Sequence, residues 1–382
     1  MIGIAAAATG TPRGPAKLLA LHWPLVILIT AVAAMGILML YSAAGGAMEP
    51  WASRQLLRFG LGMAGLFAVA MIHVRVWQAS APLAYAGAFG LLVLVEAIGT
   101  VGMGAQRWIA LGPLVLQPSE IMKIALVLAL ATYYAWLPAD KVSRPLAILP
   151  PLLLILAPTA LVLTQPDLGT AVLLLLGGGA VMFIAGVSIW YFLAAIGGAA
   201  GLGALVMRSE GSEWQLLKDY QFRRIHTFLD PATDPLGAGY HITQATIAMG
   251  SGGMSGRGFM QGTQSRLNFL PENHTDFIFT TLAEEFGLVG SGALLALYAL
   301  IVAFCIAASI ANRDRFGALL TAGIGVTFFL YFAVNMAMVM GLIPVVGVPL
   351  PLVSYGGSAM LVLLAAFGLV QSAHIHRPRL RS

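Results

Sequence analysis

Long apolar runs dominate this chain, and they restrict its fold more than any other feature. Most are close to twenty residues, the length that crosses a hydrocarbon layer of about 30 Å as a helix. Only 9% of the 382 residues are charged, whereas roughly 25% are charged in an average soluble domain. A spanning helix satisfies its own backbone hydrogen bonds, and the short alternation of an outer-membrane barrel is not found. We therefore predict an all-α integral membrane protein.

The apolar runs predict a bundle of ten transmembrane helices, in a single membrane domain that covers residues 1–382. The first run is longer than the apolar region of a signal peptide, so we expect it to stay in the chain as a signal anchor. The predicted spans are 23–43, 55–73, 80–99, 118–137, 145–163, 168–186, 189–207, 277–309, 317–342 and 352–373.

Basic residues in the short connecting segments predict how the bundle sits in the membrane. Lys and Arg collect on cytoplasmic loops, and here they favour one side strongly. We therefore expect both termini to be cytoplasmic. The net charge of +5 then reflects topology, and a nucleic-acid partner is not expected. The basic residues assigned to the cytoplasmic side are Arg13, Lys17, Arg75, Lys141, Arg144, Arg313, Arg315, Arg377, Arg379 and Arg381.

One segment interrupts the apolar pattern, because residues 208–276 carry 13 of the 35 charged residues. By the orientation above, it is a large extracytoplasmic loop between the seventh and eighth spans. Its aromatic and basic stretch 214–229 predicts a helix that lies either in the membrane interface or on the surface of the bundle. In the first alternative, Arg223 and Arg224 face anionic groups and membrane lipids are partners.

Glycines are dense at residues 250–258 of this loop. A phosphate-binding loop is excluded, because the Gly-Lys-Ser/Thr signature and a preceding strand are both missing. We predict instead a flexible loop whose backbone approaches a lipid headgroup, since glycine allows such a close approach.

Charged residues inside the apolar runs need partners, since each costs about 2.5–3.5 kcal/mol at the centre of a span. Glu120 and Lys123 are three residues apart and are predicted to pair on one helix face. That pair either fixes the register of two helices or serves a functional site. Asp167 is either the cap of the sixth span or a site residue. Glu285, early in the eighth span, is expected to face a cavity or a basic partner.

Asp276 lies where the polar segment 268–287 enters the eighth span. A carboxylate at a membrane boundary is costly to desolvate and its pKa shifts readily, which makes it a functional candidate. The alternative is a helix cap formed by Thr275 or Asp276. Neighbouring His274 has no second His or Cys at ligand spacing, so we do not expect a zinc site.

Five segments occur together in this chain: Gly-Ala-Gln-Arg-Trp at 104–108, Gln-Pro-Ser-Glu-Ile-Met-Lys at 117–123, Gln-Pro-Asp-Leu-Gly-Thr at 165–170, the segment 268–287, and the Pro- and Gly-rich segment 341–358. In this order and spacing they resemble the SEDS family (shape, elongation, division, sporulation). The resemblance covers essentially the whole membrane domain. The sequence Val-Gly-Val-Pro-Leu-Pro at 346–351 resembles the elongation branch of this family more than its division branch.

The resemblance implies a ten-span enzyme of the bacterial inner membrane that polymerises lipid II into glycan strands on the extracytoplasmic side. It also implies two partners, a class B penicillin-binding protein that crosslinks the strands and the elongation machinery. The family's essential aspartate falls on Asp276, its Arg-Trp pair on Arg107 and Trp108, and its Glu-Lys pair on Glu120 and Lys123. By position alone, Trp108 is equally an interfacial anchor.

From this resemblance we expect Asp276 to be the general base that takes the proton of an acceptor sugar hydroxyl, with Thr275 as the helix cap. A divalent cation, Mg or Mn, is an open expectation, because oxygen ligands and pyrophosphate would hold it. The residues expected to bind substrate are Arg107, Trp108, Glu120, Lys123, Asp167, Arg223, Arg224, Glu272, His274, Thr275, Glu285 and Ser354.

Other functions stay open on the sequence. A lipid II flippase would also use ten spans and buried charges, but its ionisable groups should lie near the membrane midplane rather than on one outer face. A scaffold that only recruits the transpeptidase predicts normal cell shape when Asp276 is replaced by Ala. Within the family, a division-specific polymerase is the alternative to an elongation enzyme.

Overall fold

The computed structural model describes residues 16–102, 105–111, 114–219, 222, 226, 229–230, 238–263 and 274–378. A 3₁₀ turn occupies Ala139–Lys141. The helices are α1 Ala16–Leu19, α2 Trp23–Ala43, α3 Ala52–Met71, α4 Val74–Ile98, α5 Pro118–Trp136, α6 Pro145–Thr164, α7 Leu168–Ile184, α8 Ile189–Ser209, α9 Ala238–Ser251, α10 Ile278–Ile310, α11 Arg315–Val339 and α12 Gly357–Ile375. The strands are β1 Thr100–Gly102, β2 Ala105–Leu111 and β3 Leu114–Leu116.

A helix stands at each predicted span, with boundaries that differ by a few residues. The largest differences are at α4, which begins six residues before the predicted 80–99, and at α12, which begins five residues after the start of the predicted 352–373. In the described part of the chain, seven helices are long and apolar enough to cross a membrane: α2, α4, α6, α8, α10, α11 and α12. The protein is therefore a multi-pass, mainly helical membrane protein.

Local sequence signals set where several helices begin. Pro118 lies in the first turn of α5, as predicted, where its missing N–H removes no helix hydrogen bond. Asp167 caps α7, because its carboxylate accepts hydrogen bonds from the Thr170 backbone N–H at 3.1 Å and from the Thr170 hydroxyl at 2.9 Å. Asp314 caps α11 through the Gly317 N–H at 3.1 Å.

Helix α11 is the centre of the bundle. It packs against α5, α7, α10 and α12, and 67% of its most apolar stretch is buried inside the protein. Helix α12 packs along α3. The largest fully buried side chains include Tyr298, Phe328 and Phe367, whose rings contact one another between α10, α11 and α12. Residues carried by α11 are therefore held in a tightly packed core.

A small antiparallel sheet connects α4 to α5, and the sequence analysis did not predict it. Strand β2 pairs with β1 and β3, with Thr100 opposite Trp108 and Ile109 opposite Leu116. The sheet contacts the ends of α4, α5 and α12. It fixes Arg107 and Trp108 on the central strand.

Helix α10 is broken at Gly287, whose backbone has φ 62° and ψ −155°. The glycine-rich segment supplies hydrogen-bond partners for the backbone groups that the break leaves without helical partners. The N–H groups of residues 257–258 donate to the carbonyls of residues 284–285, and the N–H groups of residues 288–289 donate to the carbonyls of residues 253–254, at 2.9–3.1 Å. Irregular backbone is tolerated at membrane depth only where protein satisfies it in this way.

The glycine-rich segment is therefore not the free loop that the sequence predicted. Gly256 lies so close to α10 that a Cβ there would overlap the Glu285 carbonyl oxygen, and its φ of +80° is a conformation that side chains disfavour. The glycines allow backbone to approach backbone, rather than backbone to approach a lipid headgroup.

Helix α8 stands apart from the bundle. Of its residues, all of which the structure describes, Ser209 alone is buried. Gly197 and Gly201 have open space beside them. Near its start α8 contacts the bundle through Phe192 on Phe183 and Tyr191 on Ser143, and most of its apolar surface is available to lipid.

Candidate functional site

Three consecutive backbone carbonyls fix the loop that carries Asp276. The His274 carbonyl accepts a hydrogen bond from the Tyr355 N–H at 2.9 Å. The Thr275 carbonyl accepts one from the Ser354 hydroxyl at 2.6 Å, and the Asp276 carbonyl accepts one from the Asn335 side-chain amide at 2.9 Å. Each donor comes from outside the loop, so the backbone at Asp276 is held from two sides.

The Asp276 carboxylate is not the cap of α10. The cap position is Phe277, whose side chain makes no cap hydrogen bond. The prediction that Thr275 is the cap is therefore wrong, because the helix begins at Ile278, two residues later than that prediction requires. A Cβ on Gly347 would lie 3.5 Å from the Asp276 Oδ2 atom, which places the carboxylate beside the Pro-rich segment 346–355.

The segment 346–355 is itself held by buried side chains. The Ser354 hydroxyl accepts the Leu350 N–H at 2.8 Å, and the Ser354 carbonyl accepts a bond from the Gln55 amide of α3 at 2.9 Å. The Tyr298 hydroxyl donates to the Pro351 carbonyl at 2.6 Å. Ser354 is 4% exposed, and its hydroxyl is engaged with protein groups. Its predicted role toward substrate stays a prediction.

Glu120 and Lys123 form the predicted ion pair, with 2.7 Å between Lys123 Nζ and Glu120 Oε1. Both side chains are almost fully buried at the start of α5. The Tyr331 hydroxyl donates to the other carboxylate oxygen of Glu120, and Lys123 Nζ lies 4.2 Å from the centroid of the Tyr331 ring. A cation over an aromatic face is stabilised electrostatically. The pair is thus anchored to α11.

Asp167 and Arg107 organise the neighbouring entrance to α7. Gln117, the residue before α5, donates to the Asp167 carboxylate at 3.3 Å. Arg107 reaches across from β2 and donates through Nε to the Gln165 carbonyl at 3.0 Å, and through Nη2 to the Pro166 carbonyl. Asp167 is therefore a helix cap, one of the two roles predicted for it, and the same carboxylate also joins α7 to α5.

These groups belong to one continuous network. Tyr331 and Asn335 lie one turn apart on α11, so one helix face contacts both the Glu120 pair and the Asp276 loop. Gly169, at the start of α7, packs directly against Val346 and Val348. The site therefore unites the beginnings of α5, α7 and α10 with the C-terminal part of α11 and with the segment 346–355.

A small cleft with a cavity volume of about 20 Å³ lies beside this network, between Tyr331 and the beginning of α12. Its lining is mainly apolar, with polar atoms from Tyr331 and Ser354. The residues Pro349, Leu350, Pro351, Leu352, Gly356, Ala359, Met360 and Leu363 complete the lining.

An aromatic group flanks the Asp276 loop. The Trp51 and His274 rings are stacked with centroids 4.2 Å apart, and the guanidinium of Arg58 lies 4.7 Å from the centroid of Tyr355. All four side chains are half-buried. His274, predicted to bind substrate, thus lies at the edge of the site. Trp51 joins it there although the sequence analysis did not name it.

Other predicted residues are not brought into this network. Glu285 belongs to a separate cluster, where the Ser42 hydroxyl at the end of α2 donates to its carboxylate. In the same cluster, the Glu284 carboxylate accepts a bond from Thr263 at 3.1 Å. Trp108 is half-buried on β2.

Some sequence predictions fall outside the described residues. These are the helix predicted over 214–229, which is described only in part, and the side chains of Arg223, Arg224 and Glu272. Among the side chains that the structure does describe, no three His, Cys, Asp or Glu residues converge as metal ligands would. The divalent cation therefore stays a prediction.

Sequence reasoning missed Asn335, Tyr331 and Gly347. Asn335 did carry a signal, since it is an amide in the middle of the apolar run of α11, and buried amides in membrane helices normally bond across helices. Tyr331 and Gly347 carried none, because their importance comes from contacts that only the packed bundle creates.

Comparisons with known proteins agree with this arrangement. Residues 22–379 match the sequence model of the FtsW/RodA/SpoVE family, described as "Cell cycle protein". The chain is 44% identical to peptidoglycan glycosyltransferase MrdB of Escherichia coli (strain K12), over 93% of this chain and 94% of that protein.

Two solved structures share the fold. One, described as "Structural coordination of polymerization and crosslinking by a peptidoglycan synthase complex", has a TM-score of 0.79 and 35% identity, over 94% of this chain and 99% of that chain. The other is the rod shape determining protein RodA of Thermus thermophilus, with a TM-score of 0.71 and 32% identity over the same shares.

Proposed function

We propose a function from the premise that this chain belongs to the FtsW/RodA/SpoVE family: it is a peptidoglycan glycosyltransferase that polymerises lipid II during cell elongation. The likeness to MrdB and to RodA supports this activity and the role in cell shape. The observation that carries the mechanism is the Asp276 loop, which is fixed by three hydrogen-bonded carbonyls beside a buried, cation-bearing network.

In the proposed reaction, the 4-hydroxyl of an acceptor sugar attacks the anomeric carbon of a donor whose leaving group is undecaprenyl pyrophosphate. The new glycosidic bond forms as the bond to the pyrophosphate breaks. Asp276 takes the hydroxyl proton, a role typically worth about 10²–10⁴-fold in rate. An α-linked donor gives a β-linked glycan, so a single displacement suffices and no glycosyl-enzyme is formed.

Lys123 is the proposed stabiliser of the leaving pyrophosphate. It is a buried ammonium group beside Glu120 and Tyr331, close to the cleft that Tyr331 also lines. Charge fixed in a low-dielectric site stabilises a developing anion without reorganising. Arg107 holds the entrance to α7 through two carbonyls and keeps further N–H donors for the phosphates. If Mg or Mn takes part, it would neutralise the same charge.

The membrane arrangement follows from the charge pattern and the helices. We place all ten of the predicted spans across the bacterial inner membrane, with both termini cytoplasmic and Asp276 on the extracytoplasmic side. The exposed faces of α8 are the proposed contact surface for the lipid tail of the substrate. A class B penicillin-binding protein is the proposed partner, in keeping with the synthase complex that this chain resembles.

The test is polymerisation of purified lipid II by the detergent-solubilised protein, with and without its cognate penicillin-binding protein and with a chelator. Asp276→Asn should remove at least 10²-fold of the rate, because it deletes the base while keeping the shape. The matched control is Thr327→Val, because Thr327 is buried on α11 and its hydroxyl bonds to the Gly323 carbonyl of its own helix. Substantial polymerisation by Asp276→Asn would rule out the base, and lipid II transport without polymerisation would favour a flippase.

A further inference from the structure

The Asp276 loop depends on one buried amide that belongs to neither of the catalytic motifs. The Asn335 Nδ2 atom donates to two carbonyls, that of Asp276 at 2.9 Å and that of Val348 at 2.7 Å. We propose that Asn335 is a positioning residue, which fixes the Asp276 carboxylate relative to the segment 346–355. This inference rests on the proposed function, because it takes Asp276 as the base.

Burial makes the bond to Asp276 structurally decisive. Asn335 is 0% exposed near the C-terminal end of α11, and a buried amide without partners would cost several kcal/mol. Both N–H groups of the side chain are used, one on each carbonyl. A carbonyl oxygen in the place of Nδ2 would face two other carbonyl oxygens, so the orientation of the amide is dictated by its partners.

The two bonds place the carboxylate from both sides. One runs to the residue that carries the carboxylate, and the other runs to Val348. Gly347, next to Val348, is the residue whose Cα faces the Asp276 Oδ2 atom. A planar amide with two N–H donors therefore sets the spacing between Asp276 and the segment 346–355. The Ser354 hydroxyl, which bonds to the Thr275 carbonyl and to the Leu350 N–H, is a second link between the two segments.

Asn335 also joins the base to the cation. It lies one turn after Tyr331, which bonds to Glu120 and lies under Lys123. Helix α11 is one of the two most buried long apolar helices among the described residues. The distance between the proton acceptor and the ammonium group is thus fixed by one turn of a buried helix. Misplacement of a reacting group by about 1 Å costs on the order of 10²-fold in rate.

Two variants separate positioning from packing. Asn335→Asp keeps the shape of the side chain but replaces the N–H donors with oxygen, and Asn335→Leu keeps the approximate volume without polar atoms. Thr327→Val is the matched control, because Thr327 is equally buried on α11 and its hydroxyl bonds only to the Gly323 carbonyl of its own helix at 2.8 Å.

The measurement is lipid II polymerisation by the complex with its penicillin-binding protein, analysed as separate kcat and KM values. Both Asn335 variants should lose kcat by on the order of 10²-fold with KM changed by less than about threefold. Thr327→Val should keep kcat. Hydrogen exchange at residues 277–282, which needs no activity, should become faster in the Asn335 variants than in the control.

Each result decides between explanations. Full kcat in the Asn335 variants, with Asp276→Asn inactive, would overturn the positioning role and leave the base assignment intact. A loss of folded protein with unchanged kcat per folded molecule would make Asn335 merely structural, which also overturns the inference. Activity in Asp276→Asn would overturn the base and the positioning role together.

Discussion

At the scale of single residues, the buried Glu120–Lys123 pair gives the sharpest stability prediction. Both side chains are at most 5% exposed, and removing one partner of a buried ion pair typically costs about 3–5 kcal/mol. Glu120→Gln should therefore lower the free energy of unfolding by about that amount, because Lys123 loses its carboxylate. The measurement is thermal unfolding in detergent.

A double variant tells the structural and catalytic parts of this pair apart. Glu120→Gln with Lys123→Met removes both charges, so much of the lost stability should return. Polymerisation should stay low, because the charge proposed for the leaving pyrophosphate is gone. If the double variant polymerises lipid II at the normal rate, the pair is only a structural link between α5 and α11.

The sequence predicted some of these residues because their partners are local. Glu120 and Lys123 are neighbours on one helix turn, and Asp167 caps the helix that it precedes, so spacing alone finds both. Thr275 was misjudged because the start of α10 depends on how the loop is held by Ser354 and other distant groups. Spacing contains no information about such contacts.

At the scale of elements, the junction of α10 with the glycine-rich segment predicts an unusual sensitivity to one methyl group. Gly256→Ala would force a Cβ into the Glu285 carbonyl and would strain a backbone with φ +80°. Gly250→Ala is the matched control, because nothing lies within 4 Å of its added Cβ. We expect Gly256→Ala to cost about 1–3 kcal/mol or more, and Gly250→Ala to be neutral or stabilising.

Unfolding midpoints of the two alanine variants, measured side by side, decide this point. Equal midpoints would show that the segment does not support the helix break.

The long helices were predictable because an apolar run of twenty residues specifies both helix and membrane. The sheet over β1, β2 and β3, helix α9 and the break at Gly287 were not, since each is stabilised by neighbours that the linear pattern does not reveal.

At the scale of the whole molecule, the end opposite Asp276 carries a histidine cluster that makes stability depend on pH. The His376 ring, 5% exposed, lies 4.4 Å from the His73 ring. Burial lowers the pKa of His376 to about 4, although its hydrogen bond to the Ser372 carbonyl acts in the opposite direction, and the nearby His73 and Lys17 lower it further. Burial and the neighbouring Arg75 and Lys17 also lower the pKa of His73.

A lowered folded-state pKa means that the unfolded chain binds the proton more tightly. The stability from neutral His376 is therefore complete above its ordinary pKa of 6.5 and is lost as the pH falls from there toward about 4. We expect a loss on the order of 2 kcal/mol over this window. Thermal unfolding across the window should show a weaker pH dependence in His376→Asn; an unchanged dependence would contradict the assignment.

The three bonded carbonyls of residues 274–276 also bear on how a polymer can grow here. With Asp276 as the proposed proton acceptor, hydrogen bonds from α11 and from the segment 346–355 hold its backbone in place between turnovers. The glycan strand must then move relative to Asp276. Each elongation cycle therefore includes a translocation step, in which the new terminus leaves one substrate-binding position and enters the other. Processivity would accordingly depend on how tightly the protein binds the sugar chain and the lipid, while the reaction centre stays in place.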